Sequence, residues 1–259
     1  MRRMIYLLLV VCLMGCGEKV EESKIRVFVD SSLESAINDV INQYIAENPV
    51  NIEVISDSTN TLFNKIEDGS HCDIFIPSSK EQVNSLIKDE YLKEENVTPI
   101  LTNNMVLIAG YKYGGNYDIK VKSFDTVTEA KSLAIAEEGD PAGLFAREIF
   151  INLNVFKSVL SMKNSTYKDS PSVASAVAEG KNEVGVCYET DALANADKVQ
   201  IITLAPKDSL NSEILYSVAI METDDGLEPA QSVKEFAEYL DTPEAADIFA
   251  DYDFGIYMN

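Results

Sequence analysis

Short runs of β-branched and other apolar residues alternate along this chain with longer stretches whose apolar residues recur at helical spacing. In the first such stretch, one apolar stripe comprises Leu33, Ile37, Val40, Ile41, Tyr44 and Ile45. The runs predict strands at 25–29, 52–55, 74–77, 105–110, 133–136, 184–188, 201–204 and 216–221. The stretches predict helices at 33–47, 61–66, 81–88, 141–153, 171–179, 232–240 and 243–252. This alternation is typical of an α/β fold.

The strand–helix units fall into two blocks, and neither an internal repeat nor a low-complexity tract interrupts them. With 259 residues, of which 46% are hydrophobic, the chain can bury one or two ordinary cores. One large doubly wound domain and two smaller lobes joined by crossing strands both fit this pattern.

The chain begins with features of an export signal. Two arginines precede an apolar run from Met4 to Met14, which is shorter than the roughly 20 residues of a membrane-spanning helix. The ending Leu-Met-Gly-Cys resembles a bacterial lipobox, which implies a signal peptide at 1–15 and a lipid on Cys16. Residues 16–23 then form a polar tether between the membrane and the folded body. The alternative is an ordinary secreted protein in which Cys16 is incidental.

Charge and composition exclude several functions. The formal net charge of −22 repels phosphate backbones, so we expect no nucleic-acid partner. A single histidine, His71, and four cysteines leave little material for metal sites or Ser-His chemistry. We therefore predict no cofactor and no catalytic residues, and we interpret His71 as a solvated surface residue. Binding is favoured over catalysis.

Two cysteines, Cys72 and Cys187, would remain in the folded body after cleavage and lipidation. Cys187 lies in an apolar run and Cys72 directly precedes another, so both are interpreted as small buried residues. A disulfide between them and a catalytic thiol are the alternatives.

Four predicted helices begin with hydroxyl-rich or small residues: at 30–33, 58–62, 140–143 and 170–173. Ser31 with Glu34 fits a capping box, and Asp140 and Ser170 fit caps placed ahead of a proline. Capping alone explains these segments. Helix starts also present unpaired N–H groups, so several of them facing one cleft would hold an anion by neutral donors.

Five segments carry a resemblance to a known family: VFVDSSLESAINDV (27–40), SDSTNTLFNKIEDGSHCDIFIPSS (56–79), TNNMVLIA (102–109), GDPAGLFAREI (139–149) and EVGVCYETDA (183–192). In order and separation they resemble the periplasmic molybdate-binding proteins of ABC transporters. The match runs from about Lys24 to Tyr257.

The resemblance implies a two-lobed type II periplasmic solute-binding fold with the ligand cleft between the lobes. The first lobe would comprise 24–104 and 216–259, and the second lobe 105–215. Strands near 103–108 and 216–221 would cross between the lobes as hinges. The implied ligand-binding residues are Ser32, Thr59, Ala142, Ser170 and Tyr188, of which Ser32, Thr59 and Tyr188 offer hydroxyls and the other two offer backbone N–H groups.

Three carboxylates depart from the family pattern: Asp30, Asp57 and Glu189. A carboxylate facing an anion site is unfavourable unless it is protonated or paired. Strand alternation is expected to turn Asp30 and Asp57 away from the ligand. If they face inward, the site would suit another solute, or a metal-oxo ligand with an added carboxylate.

The leading hypothesis is a monomeric, lipid-anchored receptor outside the cytoplasm that captures molybdate or tungstate and delivers it to an ABC permease. The same fold binding sulfate, phosphate, a carboxylate or another metabolite is the alternative. A hydrolase using Asp57 and Glu189 as acid and base lacks a nucleophile motif and a metal cluster. A structural surface lipoprotein would bind no ligand saturably.

Overall fold

The computed structural model describes residues 24–111, 120–223 and 226–258. Within them the strands β1 to β11 are, in chain order, Lys24–Asp30, Asn51–Asp57, Ile74–Ile76, Val97–Asn103, Met105–Gly110, Leu133–Ala136, Asn164–Tyr167, Val184–Tyr188, Val199–Leu204, Ile214–Ile220 and Gly255–Ile256. The helices α1 to α9 are Glu34–Glu47, Thr59–Glu67, Lys80–Lys88, Pro141–Asn152, Phe156–Ser161, Ser170–Ala178, Glu189–Leu193, Gln231–Tyr239 and Pro243–Asp251. The predicted signal peptide at 1–15 and the tether at 16–23 lie outside the described residues.

The strands form two sheets. The first has the order β11-β4-β10-β3-β1-β2, with β1 parallel to β2 and β3, and β10 antiparallel to β3 and β4. The second has the order β7-β6-β8-β5-β9, with β6 parallel to β7 and β8, and β5 antiparallel to β8 and β9. The predicted α/β fold with two sheet-based halves is therefore confirmed.

Within the described ranges, the chain passes between the sheets at two places. At the first, only Asn104 separates β4 of the first sheet from β5 of the second. At the second, residues 205–213 lead from β9 back to β10. The first crossing lies where the sequence predicts it. The second crossing lies earlier than the implied crossing at 216–221. The reason is that residues 216–220 belong to β10, which pairs within the first sheet.

A large apolar core covers both sheets, with Val27 and Ile76 buried in the first and Leu107 and Val186 buried in the second. A smaller cluster, built on residues such as Phe75, lies under α2 and α3. Since β1 and β3 have apolar residues packed on both faces, neither strand shows the clean alternation of a half-exposed strand.

The sequence did not predict β4, β7, β11, α5 or α7. β4 contains Pro99, which is unusual inside a strand, but Pro99 lies where the β4–β10 register shifts. β7 has the polar sequence NSTY and is an edge strand, so its hydrophobic pattern is weak. The two cysteines, Cys72 and Cys187, are buried and unbridged as expected, and the His71 side chain is about half exposed. None of the described helices has the length and apolar character needed to cross a bilayer.

Candidate binding site between the two sheets

A group of hydroxyl side chains surrounds the carboxylate of Asp30 at the end of β1. Ser32 Oγ donates to Asp30 Oδ1 at 2.5 Å, and Thr59 Oγ1 donates to Asp30 Oδ2 at 2.5 Å. Ser78 Oγ donates to the same Oδ2 at 3.0 Å, and the Ser78 N–H donates to Thr59 Oγ1 at 3.2 Å. Asp30, Thr59 and Ser78 are buried, and Ser32 is half-buried.

The topology explains why these residues meet. β1, β2 and β3 are parallel neighbours, so their carboxyl ends lie at the same edge of the first sheet. Ser32, Thr59 and Ser78 each follow one of these strands within two residues. Ligands of open α/β sheets bind at this edge of the strands.

Tyrosine hydroxyls join the group from two further strands. Tyr188, at the end of β8 in the second sheet, donates from its hydroxyl to Ser78 Oγ at 3.0 Å. Tyr216 of β10 lies with its hydroxyl 2.7 Å from Ser32 Oγ and accepts from Asn103 Nδ2 at 3.3 Å. Both rings are buried and meet edge to face. The two sheets are therefore in direct hydrogen-bonded contact at this site.

The two predicted amide donors, Ala142 and Ser170, lie in the first turns of α4 and α6, which follow strands of the second sheet. The Ala142 N–H donates to Asp140 Oδ1 at 3.0 Å. Ser170 Oγ donates to Asp191 Oδ2 at 2.5 Å and accepts from the Tyr188 N–H at 2.7 Å, so Ser170 is directly tied to Tyr188. The structure thus links Ser32, Thr59 and Tyr188 through Asp30 and Ser78, while Ala142 and Ser170 hydrogen-bond to neighbouring carboxyl groups.

Two of the predicted caps are wrong. Asp30 accepts the Ser32 N–H at 3.0 Å and caps the turn at Ser31–Leu33, while Ser31 Oγ donates to Asp169 at 3.0 Å. The expected capping box of Ser31 with Glu34 therefore does not form. Asp169, and not Ser170, caps α6, because its carboxylate reaches the Ser172 N–H. Asp140 caps α4 as predicted.

Asp30 does not turn away from the hydroxyls, so that expectation is wrong. β1 is covered on both faces, and the carboxylate folds back to cap the turn that follows, which places it among Ser32, Thr59 and Ser78. Burial raises the pKa of Asp30, and the hydrogen bonds from Ser32, Thr59 and Ser78 partly oppose that increase.

Asp57 behaves as expected and points away from the hydroxyl group. Its carboxylate forms ion pairs with Lys65 of α2 and with Lys168, which follows β7 of the second sheet. Burial by itself would raise its pKa, but hydrogen bonds from Lys168 and the Ser58 N–H hold the pKa below its ordinary value. Glu189 accepts from Asn104 Nδ2 at 2.7 Å, beside the first crossing between the sheets.

Two further buried carboxyls have strongly raised pKa values. Burial, followed by the charge of Asp30, raises the pKa of Asp140 to about 9. Burial raises the pKa of Asp191 to about 8, against a hydrogen bond from Ser170 that lowers it. Burial therefore favours the protonated form of both carboxyl groups.

Sequence reasoning did not identify Ser78, Tyr216, Asn103 or Asp191 as members of this site. Ser78 carries a usable signal, because it follows a buried strand as closely as Ser32 and Thr59 do. Tyr216 lies inside a strand of core residues and offers no such signal. Among the described residues, no group of three or more His, Cys, Asp and Glu side chains is arranged to hold a metal ion.

An open cleft of about 460 Å³ lies beside the hydroxyl group. Its walls include Ser32 of the first sheet and Pro171, Thr190 and Asp191 of the second. Of the hydroxyl group, Ser32 lines this cleft, while Thr59, Ser78 and Tyr188 are buried behind it.

Comparison with known proteins agrees with this arrangement. Residues 25–255 match the family model of bacterial extracellular solute-binding proteins. The molybdate-binding protein ModA of Escherichia coli is 28% identical over 240 residues, which cover 91% of this chain and 90% of that protein. A putative ABC transporter substrate-binding lipoprotein, YvgL of Bacillus subtilis, is 28% identical over 253 residues, covering 96% and 94%.

A solved structure is also similar. The substrate-binding domain of a putative molybdenum ABC transporter from Clostridium difficile superposes with a TM-score of 0.68 at 25% identity, covering 91% of this chain and 99% of that one. The resemblance to molybdate-binding proteins that the motifs indicate is confirmed. The chain therefore belongs to the family of bacterial extracellular solute-binding proteins, so it is a binding component of transport outside the cytoplasm and not an enzyme.

Proposed function

We propose that this protein captures a tetrahedral oxyanion, molybdate or tungstate, and delivers it to the permease of an ABC importer. The observation that carries the proposal is the meeting of Ser32, Thr59, Ser78 and Tyr188, whose hydroxyls come from both sheets. Neutral donors of this kind bind an oxyanion by geometry and not by net charge. The similarity to the molybdate-binding protein of Escherichia coli supports the choice of ligand.

In this proposal Ser32, Thr59 and Tyr188 donate from their hydroxyls, and Ala142 and Ser170 donate from their backbone amides. The ligand competes with two carboxyl groups of the protein for these donors. Asp30 accepts the hydroxyl protons of Ser32 and Thr59, and Asp140 accepts the Ala142 N–H. The lobes are proposed at 24–104 with 216–259 and at 105–215, and their closure traps the anion.

A second candidate is the same fold binding a different small solute, such as phosphate, sulfate or a carboxylate. The position of Asp30 favours it, because its carboxyl group lies among the donors and in its ionised form repels a fully ionised dianion. A solute that brings its own proton donor would instead hydrogen-bond to Asp30.

A thermal-shift panel on residues 24–259 tests both candidates. Light scattering first checks that the protein has the mass of a monomer. Molybdate, tungstate, sulfate and phosphate are each added at about 1 mM. A ligand at about 1,000 times its dissociation constant adds roughly 4 kcal/mol, which raises the melting temperature by roughly 8–16 °C at this size. We expect this rise with molybdate and tungstate alone. A rise with phosphate or sulfate alone supports the second candidate, and no rise with any oxyanion contradicts the ligand assignment.

We also propose that a lipid on Cys16 anchors the mature protein to the cell membrane, with 16–23 as its tether. The lipobox-like sequence at 13–16 supports this, as does the similarity to a Bacillus subtilis lipoprotein. Expression of the full chain in a bacterium with labelled fatty acid is expected to label the wild type and not the Cys16→Ala variant. Equal labelling of the two, or release of the wild type into the medium, would contradict the anchor.

A further inference from the structure

One carboxyl oxygen in the site has no hydrogen-bond partner among the residues that the structure describes. Asp140 Oδ1 accepts the Ala142 N–H at 3.0 Å, but Oδ2 is buried and unpaired, and the residue is 2% exposed. Buried polar atoms are almost always hydrogen-bonded, so an unpaired one inside a binding site indicates a group that a ligand satisfies.

Asp140 lies on the side of the second sheet that faces the hydroxyl group. Its neighbour Gly139 packs so closely on Asn60 that a Cβ at Gly139 would lie 2.8 Å from Asn60 Nδ2. Asn60 directly follows Thr59 at the start of α2. The charge of Asp30 is the strongest electrostatic influence on Asp140 after burial. Asp30 and Asp140 therefore belong to one site, each on a different sheet.

The surroundings of Asp140 keep it protonated. The titratable groups that face it are Asp30 at the end of β1, Asp169 ahead of α6, Glu137 at the end of β6 and the Tyr188 hydroxyl of β8. The nearby Lys168 is ion-paired with Asp57. With Oδ1 accepting the Ala142 N–H, the proton resides on Oδ2.

We propose that Asp140 is a further ligand-binding residue, whose Oδ2 donates a hydrogen bond to an oxygen of the bound oxyanion. The proposal rests on the function proposed above, because it needs an anion among Ser32, Thr59 and Tyr188. Asp140 would add a donor from the second sheet's half of the site, held in place because Asp140 caps α4, whereas Asp30 belongs to the first sheet. Loss of this proton would place a second negative charge against the anion, so binding is coupled to the protonation of Asp140.

The test is isothermal titration of molybdate into the wild type, Asp140→Asn and Asp140→Ala between about pH 7 and pH 10. Asparagine keeps the acceptor for the Ala142 N–H and offers an amide donor in place of Oδ2, but it does not titrate. We expect Asp140→Asn to bind within about threefold of the wild type at pH 7. Above about pH 9 the ionisation of Asp140 lowers the affinity of the wild type by up to about tenfold per pH unit, and Asp140→Asn lacks this loss. Asp140→Ala is expected to lose about tenfold at pH 7.

Asp191→Asn is the matched control. Asp191 is also buried with a raised pKa, but its Oδ2 already accepts from Ser170. Whatever its affinity at pH 7, this variant is expected to keep the further loss of affinity above about pH 9, because its Asp140 still titrates. Melting of the ligand-free variants checks that each is folded, and the comparison of the wild type with Asp140→Asn stands even if Asp140→Ala does not fold.

Two results would overturn the proposal while leaving the proposed function intact: the same pH profile for the wild type and Asp140→Asn, or wild-type affinity in a folded Asp140→Ala. A wild type that binds no oxyanion would overturn the proposed function itself, and this inference with it.

Discussion

At the scale of single residues, the same hydroxyl can serve a carboxylate of the protein or an anion from outside. Ser32 and Thr59 donate their protons to Asp30 at 2.5 Å. Each hydroxyl has one proton, so a bound anion must either replace Asp30 as acceptor or bind beside it. The sequence identified both hydroxyls and the unusual carboxylate, but only the folded chain shows that they are hydrogen-bonded to each other.

Replacing Asp30 with asparagine tests this competition. Asp30→Asn removes the carboxylate charge among the donors and one acceptor for their protons, so we expect at least about a fivefold gain in molybdate affinity. The repulsion of two unit charges about 4 Å apart is roughly 1–4 kcal/mol at effective dielectric constants of 80 to 20, and about 1.4 kcal/mol corresponds to tenfold. Isothermal titration at about pH 8 measures the change.

The matched control for that variant is Asp73→Asn. Asp73 accepts the Arg26 N–H at 2.7 Å just before β3, at the opposite edge of the first sheet, and its replacement changes the net charge equally. Its affinity is expected to stay near that of the wild type. A loss of affinity in Asp30→Asn would show that the ligand needs the carboxylate, which is the second candidate function.

At the scale of elements, local sequence determines which segments form helices and strands, and distant contacts determine which side chain caps them. Pro141 lies at the first position of α4, behind the predicted cap Asp140. For α6 the cap is one residue earlier than predicted, because Ser170 is held by Asp191 and the Tyr188 N–H. Ser31 fails as a cap because it bonds Asp169, which is 138 residues away. No pattern within a few residues contains that information.

The element contacts also join the two sheets on one side of the site. Asp57, at the end of β2, forms an ion pair with Lys168, which follows β7. Ser31 Oγ donates a hydrogen bond to Asp169, the residue after Lys168. These two contacts lie between segments that bear the predicted ligand residues Ser32 and Ser170. In the sequence, Asp57 departs from the family pattern. In the structure, it forms an ion pair with Lys168 that joins the two sheets.

At the scale of the whole molecule, negative charge and buried carboxyls act together. The net charge is −22, and Asp30, Asp140 and Asp191 are buried with raised pKa values. A carboxyl whose pKa is higher in the folded than in the unfolded chain binds more protons when folded. For Asp140 and Asp191 this contribution to stability is therefore lost as pH rises from the unfolded value of 3.8 to the folded values of about 9 and about 8.

We therefore expect the ligand-free protein to melt at a higher temperature at about pH 6 than at about pH 8. Each such carboxyl changes the free energy of unfolding by up to about 1.4 kcal/mol per pH unit in this window. Relief of self-repulsion at lower pH acts in the same direction. Calorimetry of the wild type and of Asp140→Asn with Asp191→Asn measures the slope, which should be smaller in the double variant. A higher melting temperature at pH 8 in the wild type would contradict the expected sign.

The sequence by itself determined the alternation of strands and helices, the α/β class, the family and the hydroxyls Ser32, Thr59 and Tyr188, because these follow from local periodicity and short motifs. It missed β4 and β7, where a proline at a register shift and a polar edge strand hide the hydrophobic pattern. Only the tertiary structure decided that Asp30 faces these hydroxyls, that Ser78 and Tyr216 join them, and that Asp140 keeps an unpaired oxygen beside them. Burial and contacts between residues far apart in the chain set the direction and charge of such groups, and the linear sequence does not contain either.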